Sequence, residues 1–355
     1  MGANETGLDE RSRGVLASVV CAYIRSAAPV STRQLTKTGS FGLSSASLRN
    51  AMADLEDLGF LTHPHVSAGR VPTDKGYRTF VSELMTATGP SPEERAHITR
   101  EMGPESFEMD RFLHAASRLL SRLTGEVGVA AAPDAGHFIL EAVHFTRVAE
   151  RKVVVMQVSE AGLVDNRLIE TRDDYSQTEL DDISKTLTAD FGRHSLLAIS
   201  QLLVQALQEE KVRFDSALAR TLELGRLAFS GEGGGAGELF VEGTERILEK
   251  PDFSGDIESL RRMFRAFDEK ARLVRLLTDC LSVGGTTATS IVIGSESPFT
   301  EETRSAVVTT AYRRGGQVLG VLGVIGPRRM EYARVVPMVE ELGRYVTRRL
   351  TEGAS

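Results

Sequence analysis

Cysteine is almost missing from this 355-residue chain. Cys21 and Cys280 stand far apart, each inside an apolar helical pattern. That argues against a disulfide framework and against a cysteine-ligated metal. No apolar run reaches the roughly 18 residues of a membrane span. The opening segment MGANETGLDERSRG has no apolar core of the kind a signal peptide carries. Both absences point to a soluble, cytoplasmic protein with no membrane partner. Catalytic signatures are missing too. The seven histidines are scattered without a paired nucleophile motif, and no stretch has the glycine spacing and lysine of a P-loop. The expectation is a protein that is not an enzyme and carries no cofactor. An excess of positive charge is also lacking. The net charge of −7 taken whole speaks against nucleic acid.

The charge is unevenly placed, however. Residues 1–88 hold nine Lys/Arg against eight Asp/Glu, leaving +1 there and −8 on the remainder. Asp54, Glu56 and Asp57 cluster late in one helical pattern, so the segment can still present a basic face. An acidic remainder discourages stray phosphate contacts. With 41% hydrophobic and 26% charged residues, a chain of this length can bury two or three cores.

Residues 8–27 read as a helix through Leu16, Val19, Val20, Tyr23 and Ile24, stopped by Pro29. STRQLTK (31–37) opens with hydroxyls able to cap a second, short helix. TGSFGL (38–43) is a turn. SSASLRNAMADLEDLG (44–59) is a third helix, with Leu48, Met52, Leu55 and Leu58 as its apolar stripe and Ser44 or Ser45 as its cap. Two helices joined by a glycine-containing turn match a helix-turn-helix. Its second helix would offer Ser45, Ser47, Arg49 and Asn50 to base edges, since Arg forks onto guanine and Asn onto adenine.

HPHVSAGRVPTDKGYR (63–78) follows immediately. GFLTHP and RVPT can pair as a short hairpin with HVSAG at the tip, which is a winged-helix layout. Ser67, Ala68 and Gly69 are small enough to let backbone approach phosphates, and Arg70 has the chemistry to enter a narrow minor groove. His63 and His65 share a strand face. They read as a packed or solvated pair, as contacts to the DNA backbone, or as two metal ligands short of the three or four that zinc wants.

The stretch at 86–106 is loose. Residues 107–124 form an amphipathic helix, and strand-like runs follow at 127–132, 138–146, 152–158 and 163–170. Helical patterns fill 176–280, apart from the glycine-rich SGEGGGAG at 230–237. Strands return at 290–294 and 316–326 before a last helix at about 330–350. Strands, a helical block, then strands again suggest one α/β domain with an insertion. GPRRMEYAR (326–334) reads either as an anion site at a helix N-terminus or, more simply, as a strand end with solvated arginines and Met330 docking the last helix. Asp181 and Asp182, with Glu179, read as a solvated helix N-terminus.

PVSTRQL, LSSASLRNAMADLEDLGFL and HPHVSAGRVPTDKGYR together resemble the N-terminal region of the heat-inducible transcription repressor HrcA family. ERILEKPDF (245–253) and VLGVIGPRRMEYARVVPMV (321–339) resemble its later segments, so the likeness spans nearly the whole chain. The resemblance implies an α+β multidomain chain: a winged helix-turn-helix DNA-binding domain at 1–88, a linker at 89–106, a GAF-like α/β domain from 107–175 and 281–355, and an inserted dimerisation domain at 176–280. It implies a homodimer that represses chaperone operons through double-stranded DNA bearing an inverted-repeat CIRCE operator, modulated by the GroEL chaperonin. The DNA-binding candidates are Ser31, Thr32, Arg33, Ser44, Ser45, Ser47, Arg49, Asn50, His65, Ser67, Gly69 and Arg70. The chain departs from the family pattern at Ser31-Thr32, where a Gly-Ser pair is usual, and at Val66, where a hydroxyl is common. A rival reading is a winged-helix regulator sensing a small metabolite in a GAF-like pocket lined by glycine-rich strands such as 316–326.

Overall fold

The computed structural model of the protein describes residues 7–38, 44–64, 69–103, 109–131, 139–160, 164–208, 216–229, 239–253, 257–269, 273–274, 276–277, 289–314 and 317–352. These residues form two compact units. The first comprises 1–130, 240–311 and 321–345; the second comprises 131–239, 312–320 and 346–355.

The first unit begins with helix α1 (Glu10–Ser26). The Asp9 side chain caps it by accepting the Ser12 N–H, and Ala27 ends it in the left-handed conformation. Its inward stripe is Val15, Leu16, Val19, Val20 and Ile24. Helices α2 (Thr32–Thr38) and α3 (Ser45–Asp57) follow. Leu48, Ala51, Met52 and Leu55 of α3 are buried. Leu58, expected to extend that stripe, is the C-cap residue just past the end of the helix and is exposed. Strands β1 (Leu61–Thr62) and β2 (Val71–Pro72) pair antiparallel, with Leu61 opposite Pro72. Thr73 caps α4 (Asp74–Thr79), which runs on into a π-helical turn, Phe80–Leu84.

The stretch expected to be loose at 86–106 contains helix α5 (Pro92–Glu101). Ser91 and Glu94 close a reciprocal capping box there and Pro92 opens the helix, so local signals outweigh a polar composition. Helix α6 (Met109–Thr124) leads into strand β3 (Val127–Ala131). A five-stranded sheet is built in the order β7-β3-β10-β9-β8 from β7 (Leu239–Glu242), β8 (Ser290–Ile293), β9 (Ser305–Arg314) and β10 (Gln317–Pro327). The sequence pattern foretold β8 and β10 but neither β7 nor β9. Strand β9, SAVVTTAYRR, is buried along its first half and partly exposed along its second, so it has no clean period of two. Helices α10 (Ile257–Asp268), α11 (Pro298–Glu302) and α12 (Tyr332–Glu352) complete the order of elements.

The glycines of β10 are there because neighbours sit where a side chain would go. A Cβ at Gly323 would lie 2.2 Å from the Val308 carbonyl oxygen and 2.9 Å from Thr309 Cα. Backbone cannot swing aside, so Gly323→Ala should destabilise the protein by about 1–3 kcal/mol. A denaturant titration in which the variant matches wild type would refute that crowding.

GPRRMEYAR proves to be a junction rather than a solvated strand end. Met330 is buried as expected, but the arginines are paired. Arg329 reaches Asp252 at 2.7 Å and donates to the Ile24 carbonyl at the end of α1. Arg328 pairs with Asp74 at 3.0 Å, and Asp74 also accepts the Ser295 N–H. Arg78 pairs with Glu296 and donates to the Ile291 carbonyl. The N-terminal helices are thus tied to the sheet by charges that the sequence distributes over more than 200 residues.

In the second unit, strands β4 (Leu140–Ala149), β5 (Lys152–Ser159) and β6 (Val164–Glu170) form an antiparallel meander. Helices α7 (Gln177–Phe191), α8 (Leu196–Gln208) and α9 (Ser216–Phe229) share its core with Val143, Phe145, Val153 and Val155. Ser176 and Glu179 form a capping box on α7, and Glu179 pairs with Arg220. The stretch 230–237 and Cys280 lie outside the described residues.

Candidate nucleic-acid interface

Helix α3 owes its two faces to spacing. Leu48, Ala51, Met52 and Leu55 turn inward at three- and four-residue intervals, which leaves Ser45, Arg49 and Asn50 exposed on the other side. Ser44 caps the helix: its Oγ accepts the Ser47 N–H at 3.1 Å and donates to Ser47 Oγ at 3.0 Å. This first turn is also where the helix dipole favours an anion. Ser44, Ser45, Arg49 and Asn50 therefore come together on one exposed polar surface, with Ser47 partly buried at its edge.

On α2, Ser31 caps by accepting the Gln34 N–H, and Arg33 is exposed. Thr32 is half-buried, with its Oγ1 3.8 Å from Met52 Sδ, so it lies between α2 and α3. Arg11 belongs to the same neighbourhood, because its Nη2 donates to the Ser47 carbonyl at 2.7 Å. No local pattern announces Arg11, which is 36 residues from its partner and is brought there only by the crossing of α1 and α3.

The hairpin is held closely at its base. Arg70 and Val30 exchange backbone hydrogen bonds of 2.9 and 2.8 Å. A Cβ at Gly69 would stand 2.5 Å from the Val30 carbonyl oxygen, so this position admits only glycine without a backbone shift. Arg70 Nε donates to Glu56 Oε2 at 3.0 Å, and His63 Nε2 lies 3.3 Å from the same oxygen. Lys75 donates to the Leu58 carbonyl and sits over the Phe60 ring at 4.3 Å. His65 and Ser67 fall outside the described residues. Among the described residues, no group of three or more His, Cys, Asp or Glu could hold a metal ion. No helix there is long and apolar enough to cross a membrane.

The glycine-rich strand suggested as a pocket wall is close-packed, as Gly323 shows. An open cleft of about 450 Å³ lies in the second unit, among Leu140, Glu141, Glu160, Thr188, Ala189, Gly192 and Arg193.

Comparison with known proteins gives a consistent picture. Residues 110–336 match the family model described as the HrcA protein C terminal domain. The heat-inducible transcription repressor HrcA of Geobacter sulfurreducens is 37% identical over 348 residues, covering 98% of this chain and 99% of that protein. Its counterpart in Syntrophobacter fumaroxidans is 35% identical, covering 94% of each chain. A solved structure described as a hypothetical protein at 2.2 Å resolution aligns over 97% of this chain and 99% of its own, with a TM-score of 0.60 at 22% identity, and so shares the fold. A family model that matches well over half the chain, together with relatives of this identity along nearly their whole length, places the protein in the HrcA family of heat-inducible transcription repressors.

Proposed function

We propose that the protein is a dimeric repressor of chaperone operons. In this reading, residues 1–88 form a winged helix-turn-helix that binds an inverted-repeat CIRCE operator, and the GroEL chaperonin modulates the repressor. The observation that carries it is the exposed polar face of α3. Its other face is core, and Ser44, Ser45, Arg49 and Asn50 have the chemistry to meet phosphates and base edges in a major groove. Ser31 and Arg33 of α2 add backbone contacts, with Thr32 supporting them from beneath. In this reading Gly69, His65 and Ser67 supply the wing's contacts.

In this reading a GAF-like α/β domain spans 107–175 and 281–355, and a dimerising insertion spans 176–280. Exposed Leu202 and Val204 on α8 and Leu218 on α9 support a partner surface within that insertion. A dimer presents two reading helices related by a two-fold axis, which matches a palindromic site. The chaperonin dependence rests on the family likeness alone.

Footprinting of the full-length protein on its host's chaperone promoters, with and without chaperonin, tests the reading. Protection of an inverted repeat, strengthened by chaperonin, is the expected result. Protection of no discrete site would refute it. Arg49→Ala should weaken operator binding by about 1–3 kcal/mol while sparing random duplex. Equal losses on both duplexes would remove Arg49 from base reading.

A further inference from the structure

Glu56 stands at the carboxyl end of α3, where the helix dipole disfavours a negative charge. Two basic side chains meet it there. Arg70 Nε donates to Glu56 Oε2 at 3.0 Å, with the Arg70 side chain only 14% exposed. His63 approaches the same oxygen at 3.3 Å. These two residues flank the hairpin tip: His63 follows β1 and Arg70 precedes β2. One carboxylate on the reading helix therefore grips both arms of the hairpin at the point where they leave the sheet. The backbone pairing of Arg70 with Val30, and the tight approach that demands Gly69, pin the second arm from the opposite side.

We propose that Glu56 is a positioning residue for DNA binding, and that Arg70 acts through Glu56 by fixing the wing against α3 rather than by contacting phosphate or minor groove itself. This rests on the reading of residues 1–88 as the DNA-binding head. Arg70 has the chemistry for direct contact, but its guanidinium is mostly buried and already engaged. A side chain that has to leave a charged partner to reach DNA forfeits one charge-assisted bond for another. Holding the wing in place needs no such exchange.

The test uses the full-length protein with Glu56→Gln, Arg70→Ala and the double variant. Affinity for an inverted-repeat operator fragment and for a random duplex is measured across a salt series. Glu56→Gln keeps the shape of the side chain, and far-UV circular dichroism checks that all three variants fold. Each single variant should lose roughly tenfold in operator affinity, the scale of one charge-assisted hydrogen bond. The double variant should lose no more than the worse single. The slope of log affinity against log salt should match wild type in all three.

A phosphate-contacting Arg70 predicts something different: Arg70→Ala reduces that slope by about one while Glu56→Gln leaves affinity unchanged. That pattern would overturn the proposal, as would a Glu56→Gln protein that binds more tightly than wild type or additive losses in the double variant. A wild-type protein that fails to prefer operator over random duplex would instead overturn the DNA-binding reading on which the proposal stands.

Discussion

Tyr332→Ala should destabilise the protein by about 3–5 kcal/mol, the range for emptying a fully buried aromatic site. Tyr332 is completely buried at the start of α12. Its hydroxyl donates to the Arg328 carbonyl at 2.6 Å, and its ring faces that of Tyr77 on α4, with centroids 6.3 Å apart. Tyr77 is itself 2% exposed, so truncation leaves a cavity lined by an aromatic ring that has lost its neighbour. Burial also holds both phenols well above their ordinary ionisation range. Tyr332→Phe keeps the ring and removes one hydrogen bond, so its cost should be about 1 kcal/mol. The chain has no tryptophan, so urea unfolding is best followed by circular dichroism. The expected result is a lower midpoint at unchanged slope. An alanine variant within 1 kcal/mol of wild type would show that the ring does not tie α4 to the start of α12.

The second large effect is a dependence on pH at Glu126. This carboxylate is 5% exposed at the entry to β3, with Lys250 Nζ 2.7 Å from its Oε1. Desolvation outweighs the lysine's attraction and pushes its pKa up to about 7 from an ordinary value near 4.5. The folded protein therefore holds this proton more tightly than the unfolded chain. The group's contribution to stability is full below about pH 4.5 and is lost as the pH rises through about 7. A gap of roughly two and a half units at about 1.4 kcal/mol each makes the term about 3 kcal/mol. Glu126→Gln cannot ionise and should lack it. Subtracting variant from wild type cancels the other titrating groups. The difference should move in favour of the variant across that window as pH increases. A difference that stays flat, or that moves the other way, would show that Lys250 outweighs desolvation.

Much of this was legible in the sequence where the determinants are local. A cap at Ser44 or Ser45, of which the structure uses Ser44, the stripe Leu48, Met52 and Leu55 without its expected last member Leu58, and the outward placing of Arg49 and Asn50 follow from a helical period and a pair of hydroxyls. The hairpin after α3 follows from two short β-prone runs around a small-residue tip. The strands at 140–149 and 152–159 answer, within a few residues, to the strand-like runs at 138–146 and 152–158, while their pairing does not follow from the sequence. Strand β9 escaped because half of it is buried on both faces, and an apolar run of that kind has no period to detect. Helix α5 escaped because it is polar almost throughout and buries only Ile98, so it carries no apolar stripe, and its capping box is the one local mark of a helix.

The sequence by itself determined which residues of α3 face outward, since periodicity assigns faces without any knowledge of neighbours. It also carried the family likeness, since short motifs survive as written. Only the tertiary structure decided what the charged residues do. Arg70 meets Glu56 across 14 residues, Arg328 meets Asp74, Arg329 meets Asp252, and Glu126 meets Lys250 across 124 residues. Coulomb pairing depends on distance in space and on local burial, and neither is encoded in spacing along the chain. Arginines that look solvated in a string of letters can therefore be the bolts of a junction once the chain has folded.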